Sequence, residues 1–434
     1  MRNLLLVVGN WLLLMLMSCH NTCEVDKTVA LADGLDENYC PKVDTTLKLA
    51  EPSIAQVNIF LETSGSMSGY MPLSDPATDF QKNIATILAD LNLKYTNHVT
   101  FYSIFNSNTP FLKLENGVAK EKILKGAFSW SGSTYLPVML DSIIRGYSKN
   151  NTVNIFISDC IYSPEKNDKK ESELASSDIR TIVSPLIDSS SITTFCLFSD
   201  FRAKVGTANI SNKSPYYLIV QGKLENCHEI ERLLIKSFKQ SSQLPAEINF
   251  GLKYSMPYYS VLPYTGTTSN FIANPCESFK GAFVSIQAIS LAHENDSMKF
   301  WIGINLKDLP FYAVEQKYLD SNLVLTLNKG NAEILAISDK APKDLASDDK
   351  PIANNSTHFI LVKISQLDDC LSTMSVGLKY SRPSWVSLLN EKKDENNRDK
   401  TFGLENIVQG FEQAYYPDGK AWFFNNMNIS LLKK

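Results

Sequence analysis

Short apolar runs alternate with amphipathic segments along residues 54–240, and this alternation constrains the fold more than any other feature of the chain. Val57–Leu61 and Val153–Ile157 are apolar runs bounded by turn residues, as buried strands are. Asp79–Asn92 carries its apolar residues at helical spacing. Strands alternating with helices of this length predict an α/β fold, a doubly wound and mostly parallel sheet covered on both faces. The other predicted strands are Val99–Phe105, Ile192–Phe198 and Tyr216–Val220, and the other helices are Tyr135–Tyr147, Ser177–Ile187 and Glu225–Phe238.

Residues with side-chain oxygens lie directly after two of these strands and before one helix. Ligands of such sheets bind where the loops leave the carboxyl ends of the strands. Hydroxyl and carboxylate oxygens are the ligands that hard divalent cations prefer, and Mg²⁺ also keeps some bound water. The sequence therefore predicts a metal site. Its candidate ligands are Glu62, Ser64 and Ser66 after the first strand, Thr134 before the Tyr135 helix, and Asp159 after the Val153–Ile157 strand.

This order of residues resembles the metal-ion-dependent adhesion site of the von Willebrand factor A family, over about residues 54–205. The resemblance implies that Ser64, Ser66 and Thr134 coordinate the ion through their hydroxyls. It also implies that Glu62 and Asp159 act directly or through water, and that an open position accepts a carboxylate of a partner protein. Two positions depart from the family: its first acidic residue is Asp where this chain has Glu62, and a Gly often follows its last Asp where this chain has Cys160.

The same residues also have structural interpretations. Ser64 and Ser66 could cap the helix region that follows them or satisfy turn amides. Thr134 could be the N-cap of the next helix, the commonest use of Thr at such a position. Asp159 could form an Asx turn after its strand.

A hydrolase is a different alternative, with Ser64 as its nucleophile. A serine hydroxyl needs a base within hydrogen-bonding reach, and no His lies near these segments in the sequence. His98 begins a predicted strand and is expected at the opposite end of the sheet. The chain also lacks a Gly-x-Ser-x-Gly elbow and a phosphate-binding Gly-rich loop with Lys. We therefore predict a binding protein rather than an enzyme.

The N-terminal segment has the features of an export signal. Arg2 precedes an apolar run, Leu4–Met17, which is shorter than a membrane-spanning helix needs. The run ends in Leu-Met-Ser-Cys, which resembles a bacterial lipobox and implies that residues 1–18 are removed and that Cys19 is lipid-modified. His20 follows instead of the Asp that retains lipoproteins in the inner membrane, so the outer membrane is expected. An ordinary cleaved signal peptide with a chance Cys is the alternative.

The rest of the chain is predicted to form a polar tether, residues 19–53, and a β-rich C-terminal domain, residues 241–434. Five further runs are predicted strands, and Thr401–Tyr415 is predicted as a terminal helix. Seven cysteines remain after Cys19, so at least one is unpaired within the chain, and Cys23 with Cys40 is the most plausible disulfide. The five runs are Phe283–Ala292, Lys299–Leu306, Leu323–Leu327, His358–Ile364 and Ser375–Tyr380.

These features together predict a lipid-anchored protein of the cell envelope that uses Mg²⁺ or a similar ion to dock an acidic group of a protein partner. A metal-free scaffold of an envelope assembly and a Ser-dependent hydrolase are the alternatives. The chain carries 42 basic and 46 acidic residues, a net charge of -4, so it has no broad basic surface for nucleic acid.

Overall fold

The computed structural model describes most of the chain, but residues 1–22 and several internal segments lie outside the description. The predicted signal peptide, Cys19 and Thr134 are therefore outside it. The described residues are 23, 25, 27–32, 34–42, 50–73, 75–106, 110–131, 135–149, 151–161, 169–205, 208–241, 244–251, 254, 256–264, 271–279, 281–291, 296–343, 345, 349–392 and 398–434.

The first structural unit is built on a seven-stranded sheet. In chain order its strands are β1 (Gln56–Glu62), β2 (Val99–Ile104), β3 (Leu112–Leu114), β4 (Thr152–Ser158), β5 (Ser191–Val205), β6 (Ala208–Gly222) and β7 (Ala246–Phe250). Their order across the sheet is β3-β2-β1-β4-β6-β5-β7. The central strand β1 pairs in parallel with β2 and β4, with Val57 opposite both Val99 and Val153. The other neighbouring strands are antiparallel. The predicted α/β class is confirmed, with a parallel centre and antiparallel margins.

The antiparallel half of the sheet follows from the length of β5 and β6. The sequence predicts strands over Ile192–Phe198 and Tyr216–Val220, leaving room between them for a crossover. Both strands are instead 15 residues long and pair along their whole length. Only two residues then connect them, and a connection so short permits an antiparallel hairpin but no parallel crossover.

Helices cover both faces of this sheet, as predicted. Phe80 and Leu234 are buried in the core on one face, and Ile179 and Phe411 are buried on the other. The face that buries Phe80 is covered by the helices Asp79–Lys94, Asn116–Lys125 and Leu224–Gln240, and the opposite face by the helices Leu136–Tyr147, Lys169–Val183 and Leu404–Tyr415. In chain order the helices are α1 (Lys27–Ala32), α2 (Asp79–Lys94), α3 (Asn116–Lys125), α4 (Leu136–Tyr147), α5 (Lys169–Val183), α6 (Leu224–Gln240), α7 (Gln316–Asn322), α8 (Lys350–Asn355), α9 (Ser384–Leu389) and α10 (Leu404–Tyr415).

The first unit does not end at residue 240, where the sequence predicts a domain boundary. Strand β7 extends its sheet beyond that point. The terminal helix α10, predicted as part of the β-rich domain, packs on α5 of the first unit. A side chain at Gly410 of α10 would come within 2.7 Å of Ile179 in α5, so the absence of one lets the two helices approach closely.

The second unit contains two facing sheets, which confirms the predicted β-rich character of the C-terminal half. Their strands are β8 (Tyr259–Pro263), β9 (Ile272–Cys276), β10 (Ala282–Ile289), β11 (Met298–Ile304), β12 (Leu323–Leu327), β13 (Gly330–Ser338), β14 (His358–Leu367), β15 (Leu371–Lys379) and β18 (Trp422–Lys433), while β16 (Asn390–Glu391) and β17 (Thr401–Phe402) form a separate short pair. One sheet has the order β12-β15-β18-β10-β9 and the other β13-β14-β11-β8. Val284, Phe300, Val362 and Ile429 are buried in the shared core between them.

The N-terminal segment, predicted as a polar tether, is bonded to this second unit by two disulfides. Cys23 forms a disulfide with Cys370, and Cys40 forms one with Cys276. The predicted Cys23–Cys40 pair is therefore wrong: each cysteine reaches a partner far along the chain. Leu35 is also buried in this segment, in a small core that includes Leu371. In the described part of the chain, no helix has both the length and the apolar character to cross a membrane.

Candidate functional site

Glu62 is the last residue of β1 and is buried at the carboxyl end of the parallel strands. The neighbouring strand β4 ends at Ser158, whose hydroxyl donates a hydrogen bond to Glu62 Oε2. The same hydroxyl accepts a hydrogen bond from the Cys160 amide at 2.7 Å. The parallel register of β1 and β4 thus brings two of the predicted segments together at one edge of the sheet.

The turn after β1 presents two serine hydroxyls at this edge. Gly65–Tyr70 form a short 3-10 helix that Ser64 precedes without making a side-chain capping bond. The hydroxyl oxygens of Ser64 and Ser66 lie 2.9 Å apart. Helix α2 is capped by Thr78, in a capping box with Gln81. The interpretation of Ser64 and Ser66 as caps of the helix that follows is therefore wrong.

Asp159 lies just past the end of β4 and is 2% exposed. Its Oδ1 accepts a hydrogen bond from the Ile161 amide at 3.2 Å, which is the predicted Asx turn. Its Oδ2 is buried and has no hydrogen-bond partner among the described residues. The Asx turn thus uses only one of the two carboxylate oxygens of Asp159. Leaving the other oxygen unsatisfied costs roughly 1–3 kcal/mol.

The charge state of Asp159 reflects opposing influences. Burial raises its pKa above the ordinary value, while the nearby Ser66 hydroxyl, the Ile161 amide and the positive charge of Arg398 lower it. Groups that favour the ionised form therefore surround a carboxyl whose burial favours the neutral form.

The third predicted segment reaches the same edge through Ser131. Ser131 forms an isolated parallel bridge with Ser64, and its amide donates to the Thr63 carbonyl at 3.0 Å. Thr134 itself lies outside the described residues, three positions further along. Helix α4 has Tyr135 at its N-cap position, and the interpretation of Thr134 as a cap concerns a residue outside the described ones.

Cys160, which follows Asp159, has an unusual backbone conformation. Its φ of +53° lies in the left-handed region, where glycine is the favoured residue. Burial raises the pKa of the Cys160 thiol, and the charges of Asp159 and Glu62 raise it further. The thiol stays protonated and is a packing group rather than a nucleophile.

Two residues of the C-terminal segment complete this edge, and sequence reasoning missed both. Thr401 donates a hydrogen bond to the Asp159 carbonyl at 3.4 Å, across 242 residues of chain, and its oxygen lies 2.9 Å from the Tyr217 hydroxyl. Arg398 adds a positive charge near Asp159, with its guanidinium 5.6 Å from the centre of the Phe201 ring. The sequence contains no signal for either residue, because both lie far from β4 along the chain, with Thr401 at the start of β17 and Arg398 three residues before it.

The edge contains hydroxyl and carboxylate oxygens, and no described histidine contacts them. His98 Nδ1 lies 2.9 Å from the Ala55 carbonyl, at the amino end of β1, which is the end of the sheet predicted for it. In the described part of the chain, no three His, Cys, Asp or Glu side chains converge to hold a metal ion. The predicted metal site is not a group of this kind, because it combines only two carboxylates with three hydroxyls.

Comparison with known proteins identifies no relative: no protein-family model, curated protein or solved structure matches this chain.

Proposed function

We propose that the carboxyl edge of β1 and β4 binds a divalent cation such as Mg²⁺ and docks a carboxylate of a protein partner through it. Ser64, Ser66 and Thr134 would supply hydroxyl oxygens, and Glu62 and Asp159 would supply carboxylates. The observation that carries the proposal is the buried carboxylate of Asp159, whose Oδ2 has no close hydrogen-bond partner among the described residues. The Ser66 hydroxyl interacts with this carboxylate and lies 2.9 Å from the Ser64 hydroxyl. A hard cation takes oxygen ligands of these kinds.

The site fits a domain of the von Willebrand factor A type. Parallel strands at the centre of the sheet, helices on both faces and hydroxyl-bearing loops at the carboxyl ends all support this assignment. The left-handed backbone at Cys160 supports it as well. Glu62 departs from the family, and its Oε2 already accepts a hydrogen bond from Ser158. We therefore infer that Glu62 acts on the ion through water and fixes the end of β4.

The proposal also places the protein in the bacterial cell envelope, on the outer membrane, with a lipid on Cys19. Two disulfides support export, because such bonds persist in oxidising compartments. Cys23 follows Cys19 by four residues and is bonded to Cys370. A lipid on Cys19 would therefore hold the second unit within about 14 Å of the membrane, the reach of four extended residues.

Mg²⁺ is expected to stabilise the protein, and the effect should require Asp159. An ion that binds only the folded state stabilises it by about 2.7 kcal/mol at roughly 100 times its dissociation constant. Thermal unfolding of the mature chain, with lipid attachment removed, would be followed against Mg²⁺ and Mn²⁺ for wild type, Asp159→Asn and Asp188→Asn. Asp188 is an exposed carboxylate away from the site and provides the matched control.

A concentration-dependent rise in the unfolding temperature of wild type and Asp188→Asn, lost in Asp159→Asn, is the expected result. Equal behaviour of all three proteins would contradict a metal role for Asp159. Ester or phosphate turnover that depends on Ser64 would favour a hydrolase instead.

A metal-free scaffold is the second candidate, and Arg398 is the observation that favours it. Its charge lies near Asp159, where it would oppose a cation in the proposed site. If the site binds metal, Arg398→Gln should strengthen Mg²⁺ binding about fivefold or more, because roughly 1 kcal/mol of charge repulsion is removed. Calorimetric titration of both proteins measures this change. A protein that binds no Mg²⁺ with or without Arg398 would establish the scaffold.

A further inference from the structure

A cavity of about 300 Å³ lies between the two units, apart from the proposed metal site. Its walls come from α6, from β7 and from residues 307–311 of the second unit. This volume is at the lower end of the range for small-molecule sites. The residues that carry its chemistry are His228, Glu231, Glu247, Asn249 and Tyr254, with Phe311 on the opposite wall.

The buried wall of the cavity contains two carboxylates. Glu231 is 7% exposed and Glu247 is 5% exposed. Glu231 accepts a hydrogen bond from the Thr193 hydroxyl and lies 3.5 Å from His228 Nδ1. Glu247 Oε1 accepts a hydrogen bond from the Phe311 amide at 2.7 Å. Two buried carboxylates that act on each other are unfavourable without a compensating positive charge, and His228 beside Glu231 supplies one only when it is protonated.

Three other polar atoms of the cavity have no hydrogen-bond partner among the described residues. They are Asn249 Oδ1, His228 Nε2 and the Tyr254 hydroxyl. Asn249 is 4% exposed, and its amide nitrogen is already used in a hydrogen bond to Thr193 at 3.0 Å. Asn249 lines the cavity, and its carbonyl oxygen is a buried acceptor in the cavity wall. Each unsatisfied buried group costs roughly 1–3 kcal/mol, and their concentration in one cavity points to a ligand.

We propose that this cavity binds a small organic cation with a primary ammonium or guanidinium group. The acceptors are two carboxylates and an amide oxygen, and the charged N–H groups of such a cation present about three to five donors to match them. His228, Glu231 and Glu247 do not converge as a metal-binding group. The positive side chains that line the cavity, Arg232 and Lys307, are exposed at its mouth, where solvent screens them.

Binding should strengthen as pH rises through neutrality. The pKa of Glu247 is raised to about 7: burial and the charge of Glu231 raise it, while the Phe311 amide and His228 lower it. A cation favours the ionised carboxylate, so affinity should rise about tenfold from about pH 6 to about pH 8, as the ionised fraction does. Other charged or titratable groups near Glu247 are Arg232 on α6, Lys307 and Asp308 on the loop, and Tyr254 and Tyr312. On its other side Glu247 shares a second cavity with Glu315, Lys317, Tyr318 and Arg382.

Ligand-observed saturation-transfer NMR on the full mature chain tests this proposal. The probes are agmatine and putrescine, with butane-1,4-diol as the uncharged analogue of putrescine and succinate as an anion. Glu247→Gln removes the charge but keeps an acceptor for the Phe311 amide. Glu229→Gln, on the same helix as Glu231, is the matched control, because its carboxylate pairs with Lys94 outside the cavity.

We expect both cations to bind wild type and Glu229→Gln, with a loss of affinity of roughly tenfold or more in Glu247→Gln, because one charge that pairs with the cation is removed. The diol and succinate should give no signal. Glu231→Gln, which keeps an acceptor for Thr193, answers the same question if Glu247→Gln fails to fold. Three results would overturn the proposal and leave a water-filled cavity. The cations give no signal, the diol gives the same signal as the cations, or the cation signal is unchanged in both folded cavity variants.

Discussion

Replacing both Cys40 and Cys276 with alanine is expected to lower the free energy of unfolding by about 2–5 kcal/mol. The disulfide joins positions 236 residues apart, and the two cysteines are 2% and 0% exposed in the core of the second unit. Removing the bond releases a long loop of the unfolded chain, which gains conformational entropy. Urea unfolding followed by circular dichroism, under non-reducing conditions, measures the change.

The loss of a buried sulfur atom must be separated from the loss of the cross-link. Cys227→Ala provides that control, because Cys227 is an unpaired cysteine that is equally buried. It removes one thiol and leaves both disulfides in place. If the double variant loses no more stability than two such single changes would cost, the cross-link contributes nothing and the expectation fails.

Glu247→Gln is expected to stabilise the protein by about 3 kcal/mol above neutral pH, although it removes a charged group. Burial raises the pKa of Glu247 from 4.5 to about 7 in the folded state. At a pH between these two pKa values, the Glu247 carboxyl is ionised in the unfolded chain and protonated in the folded chain. The contribution of Glu247 to stability therefore falls as pH rises from about 4.5 to about 7, and is constant above that window.

Glutamine has no proton to lose and retains an acceptor for the Phe311 amide. The difference in unfolding free energy between the variant and wild type should therefore be largest near pH 8, decrease as pH falls from about 7 to about 4.5, and be zero below about pH 4. Unfolding free energies of both proteins at a series of pH values measure it. Glu51→Gln, at an exposed carboxylate, serves as the control and should show no such trend. A difference independent of pH would mean that Glu247 ionises normally in the folded protein.

Stabilisation of this kind would also bear on the proposed cavity. A buried carboxylate that lowers stability has a use in a binding site but none in a hydrophobic core. Glu247 also lies in a cavity with unsatisfied polar atoms in its walls. The same variant would then be more stable than wild type and unable to bind the cation probes. Loss of binding could not be attributed to loss of the fold.

The local pattern of the sequence was enough to predict the central strands and all but one of the helices that cover them; helix α3 (Asn116–Lys125) was not predicted. Val57–Leu61 and Val153–Ile157 are apolar throughout because both faces of these strands are buried. Their carboxyl ends lie together because the strands are parallel neighbours. Chain direction and the period of burial are therefore sufficient to predict that the polar residues after these strands form one group, which contains Glu62, Ser64, Ser66 and Asp159.

Tertiary structure alone decided which distant residues complete each site. Arg398 and Thr401 reach Asp159, Cys40 reaches Cys276, and the cavity around Glu247 requires residues 307–311 of the second unit. The spacing of apolar residues along the sequence does not predict any of these contacts, because each depends on how distant folded segments pack together. Local hydrophobic spacing determined the elements of this protein, and long-range packing determined which charged groups were buried together.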